Sequence, residues 1–180
     1  MILMNKRSIV NGQRSTVILF LLLALVVTGP SCGVYTFRDV SIDYSKIKTA
    51  KVGFIDNKAR YINPQLSPKL TDAIKQKISN YTKLTLVNSD DASYIITGYI
   101  TRYDVSLAAI SNNQSAANRL TVAAAITVVN TVDNKTDNFT VSKDFDFSAA
   151  LSLQQAENTL LTDIINQLTD QIFSHIFSNW

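Results

Sequence analysis

Two neighbouring segments with two-residue alternation constrain the fold of this 180-residue chain more than any other feature. Residues 120–132 ("LTVAAAITVVNTV") place Leu120, Val122, Ala124, Ile126 and Val128 on one face, and residues 139–147 ("FTVSKDFDF") place Phe139, Val141, Phe145 and Phe147 opposite Thr140, Ser142, Asp144 and Asp146. Such alternation is typical of a β-strand with one buried face. The intervening "DNKTDN" contains residues that tolerate positive φ, so the sequence predicts a β-hairpin with one apolar face.

Three further segments have the character of strands. Residues 48–57 alternate so that Ala50, Val52 and Phe54 share one predicted face. Residues 93–107 are rich in β-branched and aromatic side chains, which favours a strand. The short piece "KLTLVN" between them is predicted to be extended, and the polar "NSDDA" is the turn that follows it.

Two segments have helical periodicity. In residues 67–82, Ser67 is placed to cap the helix, and Pro68 suits a first turn in which no backbone N–H is needed. Ser152 and Gln155 have the spacing of a capping box before a second helix that continues almost to the end of the chain. Each helix carries an apolar stripe at three- and four-residue steps: Leu70, Ile74 and Ile78 in the first, and Leu161, Ile164, Ile165, Leu168, Ile172, Phe173 and Ile176 in the second.

The predicted order of elements is β-α-β-β-β-β-α. Two amphipathic helices and one sheet bury their apolar surfaces against each other, so the sequence predicts an α+β fold. The prediction is a two-layer sandwich with two α-helices packed on one face of a mainly antiparallel sheet of four to five strands. The helices are expected on the face that carries Ile126, Val128 and the phenylalanines of residues 139–147. The opposite face carries Thr, Ala and Ser, which suits water or the surface of a partner.

The first 31 residues have the organisation of a cleaved signal peptide. Lys6, Arg7 and Arg14 give a positive start, and residues 17–27 are eleven uninterrupted apolar residues. At about 1.5 Å per residue, an eleven-residue helix spans only roughly half of the ~30 Å hydrocarbon core of a bilayer. That length suits the apolar part of a signal peptide, so residues 1–31 are predicted to be removed.

Cys32, the single cysteine of the chain, follows this segment directly. A lone cysteine forms no internal disulfide, and a small residue immediately before it, just past the apolar run, resembles the lipobox of bacterial lipoproteins. The sequence therefore predicts a covalent diacylglyceryl and N-acyl modification at Cys32, a lipidated tether over residues 32–46 and a single α+β domain over residues 47–180. The alternative is an ordinary buried thiol beside a conventional secretory cleavage site.

The composition of the mature chain argues against several classes of function. Three of the seventeen basic residues leave with the signal peptide, so fourteen remain against fourteen acidic residues, and no basic run indicates a nucleic-acid partner. The sequence contains no metal-ligand spacing and no Gly-rich phosphate loop. Its only histidine, His175, has no nucleophile–base arrangement around it in the sequence and is expected at the surface near a helix C-terminus. We therefore expect no catalytic residue, no metal and no cofactor.

Five segments together resemble the lipopolysaccharide (LPS)-assembly lipoprotein family LptE, in particular its Bacteroidetes branch. They are "CGVYTF", "NPQLSPKLTDAIKQKI", "TLVNSDDASYIITGYITRYDV", "NRLTVAAAITVVN" and "FDFSA", and the resemblance covers about residues 32–175. It implies a non-enzymatic lipoprotein anchored at the inner leaflet of the outer membrane, facing the periplasm and the lumen of a β-barrel of the LptD type. The implied function is to plug that barrel, to assist its assembly and to help insert LPS into the outer leaflet.

A second function remains open at this point. It is a stand-alone, periplasm-facing lipoprotein that binds a lipid or glycan in its own pocket, and it predicts a deep apolar pocket between the helices and the sheet. The plug hypothesis predicts a filled core and a wide polar face instead.

Three basic residues are candidate contacts for LPS, which offers phosphates or carboxylates beside acyl chains. Arg102 lies between two tyrosines near a strand end, Arg119 lies where a polar loop enters a strand, and Lys135 lies at a hairpin tip. For each of them the alternative is a solvated charge at the end of a strand. The loop over residues 107–118, small and polar, is either a contact with the barrel interior or a simple connector.

The Cys32→Ala variant is predicted to leave the mature protein soluble in the periplasm. Several acyl chains at ~0.8 kcal/mol per buried CH₂ hold a protein on a membrane, and without the thiol they have no attachment point. Cell fractionation measures this, and retention of the variant in the membrane fraction would refute the anchor at Cys32.

Overall fold

Five strands and two helices form the structure, a computed structural model that describes residues 42–111 and 114–178. The predicted signal peptide, Cys32 and the tether up to residue 41 lie outside the described residues. The strands are β1 (Thr49–Asn57), β2 (Thr85–Leu86), β3 (Tyr94–Ser111), β4 (Gln114–Asn130) and β5 (Lys135–Ser148). The helices are α1 (Leu66–Tyr81), between β1 and β2, and α2 (Leu153–Phe177), after β5.

The sheet has the strand order β2-β1-β3-β4-β5. β1 is parallel to both β2 and β3, whereas β3, β4 and β5 pair in antiparallel fashion. The parallel pairs follow from the connection through α1, because a crossover helix returns the chain to the edge from which β1 started. The predicted α+β architecture and element order are therefore confirmed, with a sheet that is mixed because of β1.

The core lies between the helices and one face of the sheet. α1 packs over β1, α2 packs over β4 and β5, and the two helices pack against each other. The predicted apolar face of β4 is confirmed, and its side chains are almost fully buried: Leu120, Val122, Ala124, Ile126 and Val128. Because each fully buried Leu or Ile stabilises the fold by about 1.5–3 kcal/mol, this face fixes which side of the sheet the helices cover.

The prediction for Phe54 was wrong. The pairing of β1 with β3 shifts register between Val52 and Ile55, which is a β-bulge. The extra residue reverses the alternation, so Ile55 is fully buried and Phe54 is 58% exposed. A bulge leaves no mark in the two-residue pattern before it, and the sequence therefore placed Phe54 on the same face as Ala50 and Val52.

Helix α1 is capped two residues earlier in the structure than predicted. Its N-cap is Gln65, whose side chain makes no capping hydrogen bond, and Ser67 is buried inside the first turn. The carbonyl of Ser67 accepts a hydrogen bond from Thr71 Oγ1 (2.8 Å), and Thr71 Oγ1 accepts one from the backbone N–H of Ile55 (3.0 Å). Ser67 is thus part of a buried link between α1 and β1, and the prediction that it caps the helix was wrong.

Helix α2 begins as predicted. Ser152 is the N-cap, its hydroxyl accepts from the backbone N–H of Gln155, and the Gln155 side chain accepts from the backbone N–H of Ser152. This reciprocal pair is the predicted capping box. It starts the helix directly after the turn that follows β5.

Both long hairpins are formed, but their strands extend further than predicted. In the β4–β5 turn, Asn134 has a φ of 52°, the left-handed conformation that the polar turn sequence predicted. The predicted loop over residues 107–118 was wrong, because β3 continues to Ser111 and β4 begins at Gln114. Backbone pairing with two register shifts accommodates these small polar residues as strand.

The topology gives the molecule two ends of different character. One end carries the β3–β4 hairpin, the end of β1 and the N-termini of both helices. The other end carries the β4–β5 hairpin, the start of β1 and the helix C-termini. Residues 42–48 lead into β1 and therefore enter the sheet at this second end.

The Gly98→Ala variant is predicted to destabilise the fold by about 1–3 kcal/mol, the usual cost of overpacking. A Cβ at Gly98 would lie 2.5 Å from the carbonyl oxygen of Ala125 and 2.7 Å from Ile126 Cδ1, so the β3–β4 backbone must shift. Urea unfolding of the mature chain measures the loss. Gly53→Ala is the matched control, because its Cβ would lie 3.2 Å from Thr97 Cγ2 and 3.5 Å from the carbonyl oxygen of Ile96. Both distances are longer than the two contacts at Gly98. Equal stability of the two variants would contradict this account.

Candidate functional site

The face of the sheet that points away from the helices is the candidate functional surface, named here the open face. In the β3–β4–β5 ladders, Tyr99 is opposite Ala125, and Ala125 is opposite Thr140. Directly opposed residues share a face, so the register defines the whole surface. Its central side chains are Thr97, Tyr99, Thr121, Ala123, Ala125, Thr127, Thr140 and Ser142.

The centre of the open face is small and uncharged. Ala, Thr and Ser side chains leave little relief, and the close approach of Gly53 to Thr97 keeps β1 near β3. Two exposed aromatic side chains accompany them, Tyr99 on β3 (39% exposed) and Phe54 on β1 (58% exposed). An antiparallel sheet that faces bulk water usually carries more strongly polar side chains. The chemistry of the open face therefore suits contact with another surface.

Arg119 lies at the β3–β4 end of the open face and is held by two carboxylates. Its Nε and Nη2 donate to the two carboxylate oxygens of Asp146 at 2.7 and 2.9 Å, and Asp144 lies 3.9 Å away. Thr121 Oγ1 donates to Asp144 at 2.7 Å. The guanidinium lowers the pKa of Asp146, and the hydrogen bond with Asp146 raises the pKa of Arg119. Arg119 is thus fixed in position, and a phosphate would compete with Asp146 for it.

Arg102 shares the open face with Arg119, and Lys135 does not lie near them. Arg102 pairs in register with Ala123, and its Nε lies 3.3 Å from Asp104. Lys135 opens β5 opposite Asn130, at the β4–β5 end of the sheet. The structure therefore brings two of the three candidate LPS contacts onto one surface and separates the third from them.

Lys58 is a further cation at the margin of the open face that the sequence patterns did not indicate. Its Nζ lies 4.3 Å from the centroid of the Tyr99 ring, a cation–π distance. Its backbone N–H donates to the carbonyl of Ile100, where β1 leaves the sheet. The bulge in β1 sets this position, so spacing along the chain gave no signal for it.

A buried carboxylate ties the helix layer to the sheet at the β3–β4 end. Glu157 is 7% exposed and accepts hydrogen bonds from Tyr103 (2.8 Å) and Tyr61 (3.2 Å), whose rings stack at 5.4 Å. Burial raises the pKa of both tyrosines, and the Glu157 carboxylate raises it further. The sequence analysis missed this group. Its signal was available, since Glu157 stands four residues before Leu161 on the apolar stripe of α2.

His175 lies at the surface in the last turn of α2, as the sequence predicted. Its Nε2 is 3.1 Å from a carboxylate oxygen of Asp137, and its ring stacks on Phe139 at 3.7 Å. Within residues 42–111 and 114–178, no group of three or more His, Cys, Asp or Glu side chains is arranged to hold a metal ion. No helix in that part of the chain is both long enough and apolar enough to cross a membrane.

The lipopolysaccharide-assembly family model, LptE, matches residues 47–176. The chain belongs to the LptE family. The match extends from just before β1 almost to the end of α2, and it therefore includes the open face, both helices and the Glu157 cluster. The role of the LptE family is LPS assembly, and the family works without a cofactor.

Solved structures similar to this LptE-family chain come from several bacteria. Rare lipoprotein B from Shewanella oneidensis has 12% identity and a TM-score of 0.49, with 71% of this chain and 93% of that chain covered. A minor lipoprotein from Acinetobacter baumannii has 17% identity and a TM-score of 0.45, with 74% and 97% covered. The hypothetical protein CT253 from Chlamydia trachomatis has 8% identity and a TM-score of 0.49, with 74% and 99% covered. No curated protein matches the chain.

The Tyr103→Phe variant is predicted to lose about 1–2 kcal/mol of unfolding free energy at pH 7, because Glu157 stays buried with one donor fewer. A tyrosine whose pKa is raised on folding stabilises the protein below its ordinary value near 10, and this contribution is lost as the pH rises further. The loss of stability above about pH 10 is therefore expected to be smaller in the variant. Urea unfolding across pH measures both effects. Tyr61→Phe is the control, with a smaller effect because Tyr61 is 41% exposed and its bond is longer; equal losses would contradict the account.

Proposed function

We propose that this chain is the outer-membrane lipoprotein subunit of an LPS translocon. In this proposal the acylated Cys32 anchors it at the inner leaflet, and the domain plugs a β-barrel of the LptD type. It assists assembly of the barrel and helps insert LPS into the outer leaflet, without catalysing a reaction. Membership of the LptE family supports the role in LPS assembly. The observation that carries the plug is the open face, a wide surface of small, uncharged side chains beside a filled core.

The dimensions of the open face suit a protein interface. Four long strands spaced about 4.8 Å apart, over about ten residues at roughly 3.3 Å each, give a face of roughly 650 Å². A typical stable interface buries about 800 Å² on each partner. The open face with its aromatic margin therefore offers most of one interface.

The polarity of the open face suits the lumen of a large barrel. Such lumens are polar, so a plug needs hydroxyl groups that exchange hydrogen bonds with the wall or with trapped water. Thr97, Thr127 and Thr140 supply them at the centre of the face. Most charges on this face are already paired: Arg102 with Asp104, Arg119 with Asp144 and Asp146, and Lys51 with Asp90. Docking there desolvates ion pairs rather than isolated charges.

The interior of the domain favours the plug over the alternative, a lipid- or glycan-binding pocket. That alternative requires an apolar cavity between the helices and the sheet. Among the described residues, this interface is filled by closely packed side chains, including the fully buried Ile100, Leu120 and Leu168. A groove of about 740 Å³ lies at the margin of the domain, and most of its lining residues are polar.

Arg102 and Arg119 remain the proposed LPS contacts on the open face, with Lys135 as a separate contact at the opposite end. Arg102 is more available than Arg119 for an incoming phosphate, because its side chain is 60% exposed and has a single carboxylate partner at 3.3 Å. A phosphate binds Arg119 only if it displaces Asp146 from the guanidinium. The two arginines therefore differ in the cost of accepting the ligand.

The Ala125→Arg variant is predicted to stop co-purification with the barrel, because a long charged side chain at the centre of the open face prevents close contact. Thr162→Arg is the matched control, since Thr162 is exposed on α2 on the far side of the core. The measurement is an affinity pull-down of each tagged mature lipoprotein from detergent-solubilised outer membrane. Recovery of the barrel with the wild type and the control, and not with Ala125→Arg, is the expected result. Absence of the barrel from the wild-type sample would refute the proposed function.

A further inference from the structure

A groove runs between the outer strand of the sheet and the second helix. It has a volume of about 740 Å³ and is lined by the four consecutive residues 140–143 of β5 and by one face of α2. Four consecutive strand residues point to both sides of the sheet, so their presence along the groove shows that it lies over the edge of β5. The groove shares Thr140 and Ser142 with the β5 margin of the open face, and it is separate from the Glu157 cluster.

The outer edge of β5 is suited to accept another strand. β5 is the last strand in the sheet order and pairs only with β4 among the described residues. Its fourteen residues pair without a register shift, and the segment contains no proline. Natural edge strands are commonly blocked by bulges, prolines or charges. The segment Phe139–Ser142 has none of these and pairs regularly, whereas the charged residues Lys143, Asp144 and Asp146 follow it along the strand.

The helix side of the groove is polar rather than apolar. Gln167, Asp170, Gln171 and Ser174 fall at helical spacing along one face of α2 and line the groove together. The side-chain oxygen of Gln171 is buried and has no hydrogen-bond partner among the described residues. A buried acceptor without a donor costs about 1–3 kcal/mol, and an incoming N–H group would remove that cost.

Lys143 gives the groove its charge. Lys143 pairs in register with Val122, so its side chain lies on the helix side of the sheet. Because β5 is the edge strand, this side chain lines the groove. No described carboxylate lies within 4 Å of its Nζ, and the one acidic residue of the groove, Asp170, is already paired with Lys77. A partner segment that carries a carboxylate would complete this site.

We propose that this groove receives an extended, polar segment of the barrel partner that contains an acidic residue and adds a sixth strand to the sheet at β5. The backbone of that segment pairs with β5, one of its groups donates to Gln171, and its carboxylate meets Lys143. Strand addition of this kind gives affinity through main-chain hydrogen bonds and specificity through alternate side chains. The identity of the partner rests on the proposed function, whereas the helix side of the groove, which includes Gln171 and Ser174, is not part of the open face.

Site-specific photocrosslinking tests the proposal in the complete lipoprotein in its membrane. A photoreactive residue is placed at Ser142 or Ser174 in the groove, at Thr127 on the open face, or at Thr162 on the outer surface of α2. The Ser142 and Ser174 variants are expected to link to one short contiguous segment of the barrel polypeptide, identified by mass spectrometry. Thr162 is expected to give no link to the barrel.

The outcomes separate this inference from the proposed function. Because Ser142 also lies on the open face, Ser174 is the deciding position: links to the barrel from Thr127 or Ser142 but not from Ser174 would overturn strand addition and leave the proposed function intact. Links from the groove to lipid, to a second copy of this chain or to another protein would overturn strand addition as well. If no variant links to the barrel, both proposals fall.

Two further measurements check the mode of binding. Amide hydrogen exchange is expected to slow at alternate residues along 138–145 when the free lipoprotein is compared with the barrel complex, because only outward N–H groups gain a partner. Uniform or unchanged exchange there would contradict strand addition. Lys143→Glu is expected to reduce crosslinking from Ser142 about tenfold. Lys48→Glu, the same charge change at an exposed lysine before β1, is expected to leave it unchanged, and an equal loss in both variants would exclude a specific role for Lys143.

Discussion

The one-sided burial of the sheet determines the rest of this structure. The apolar faces of β3, β4 and β5 meet the stripes of two helices that both lie on the same side, and this interface contains nearly every large buried side chain. Because the chain has no further layer among the described residues, the other side of the sheet is left uncovered. Alternation along each strand then dictates that Thr, Ala and Ser occupy that side. The open face is thus a direct consequence of how the core is formed.

Two different kinds of surface follow from the same arrangement. The open face is flat, uncharged at its centre and large enough for most of a protein interface, whereas the edge of β5 with the adjoining face of α2 is narrow and rich in hydrogen-bonding groups. A plug in a barrel needs both kinds: a broad surface that contacts the wall and a directional contact that fixes its orientation. β1 starts at the β4–β5 end of the sheet, and the β3–β4 hairpin lies at the opposite end.

The sequence predicted those parts of the fold that depend on local patterns. Alternation predicted the buried faces of β4 and β5, and the Ser152–Gln155 spacing predicted the start of α2, because both signals lie within a few residues. The sequence-based predictions failed where a contact between residues distant in the sequence determines the local structure. The bulge that exposes Phe54 depends on pairing with β3, and Ser67 is drawn into the α1–β1 link by Thr71. The extra length of β3 and β4 depends on each strand pairing with the other. For the site, the residue types on the open face were predictable, but the pairing of Arg119 with Asp146 required the register.

The most direct test of the account is the accessibility of the open face in the assembled membrane. Cys32 is the only cysteine of the chain, and the proposed acylation blocks its sulfur, so a Thr127→Cys substitution introduces a single reactive thiol on that face. The account predicts that a membrane-impermeant maleimide labels this thiol in the free protein and does not label it in the barrel-bound lipoprotein. A Thr162→Cys thiol on α2 is expected to react in both. Full labelling of the Thr127→Cys protein in the complex would show the open face in contact with water and would contradict the account.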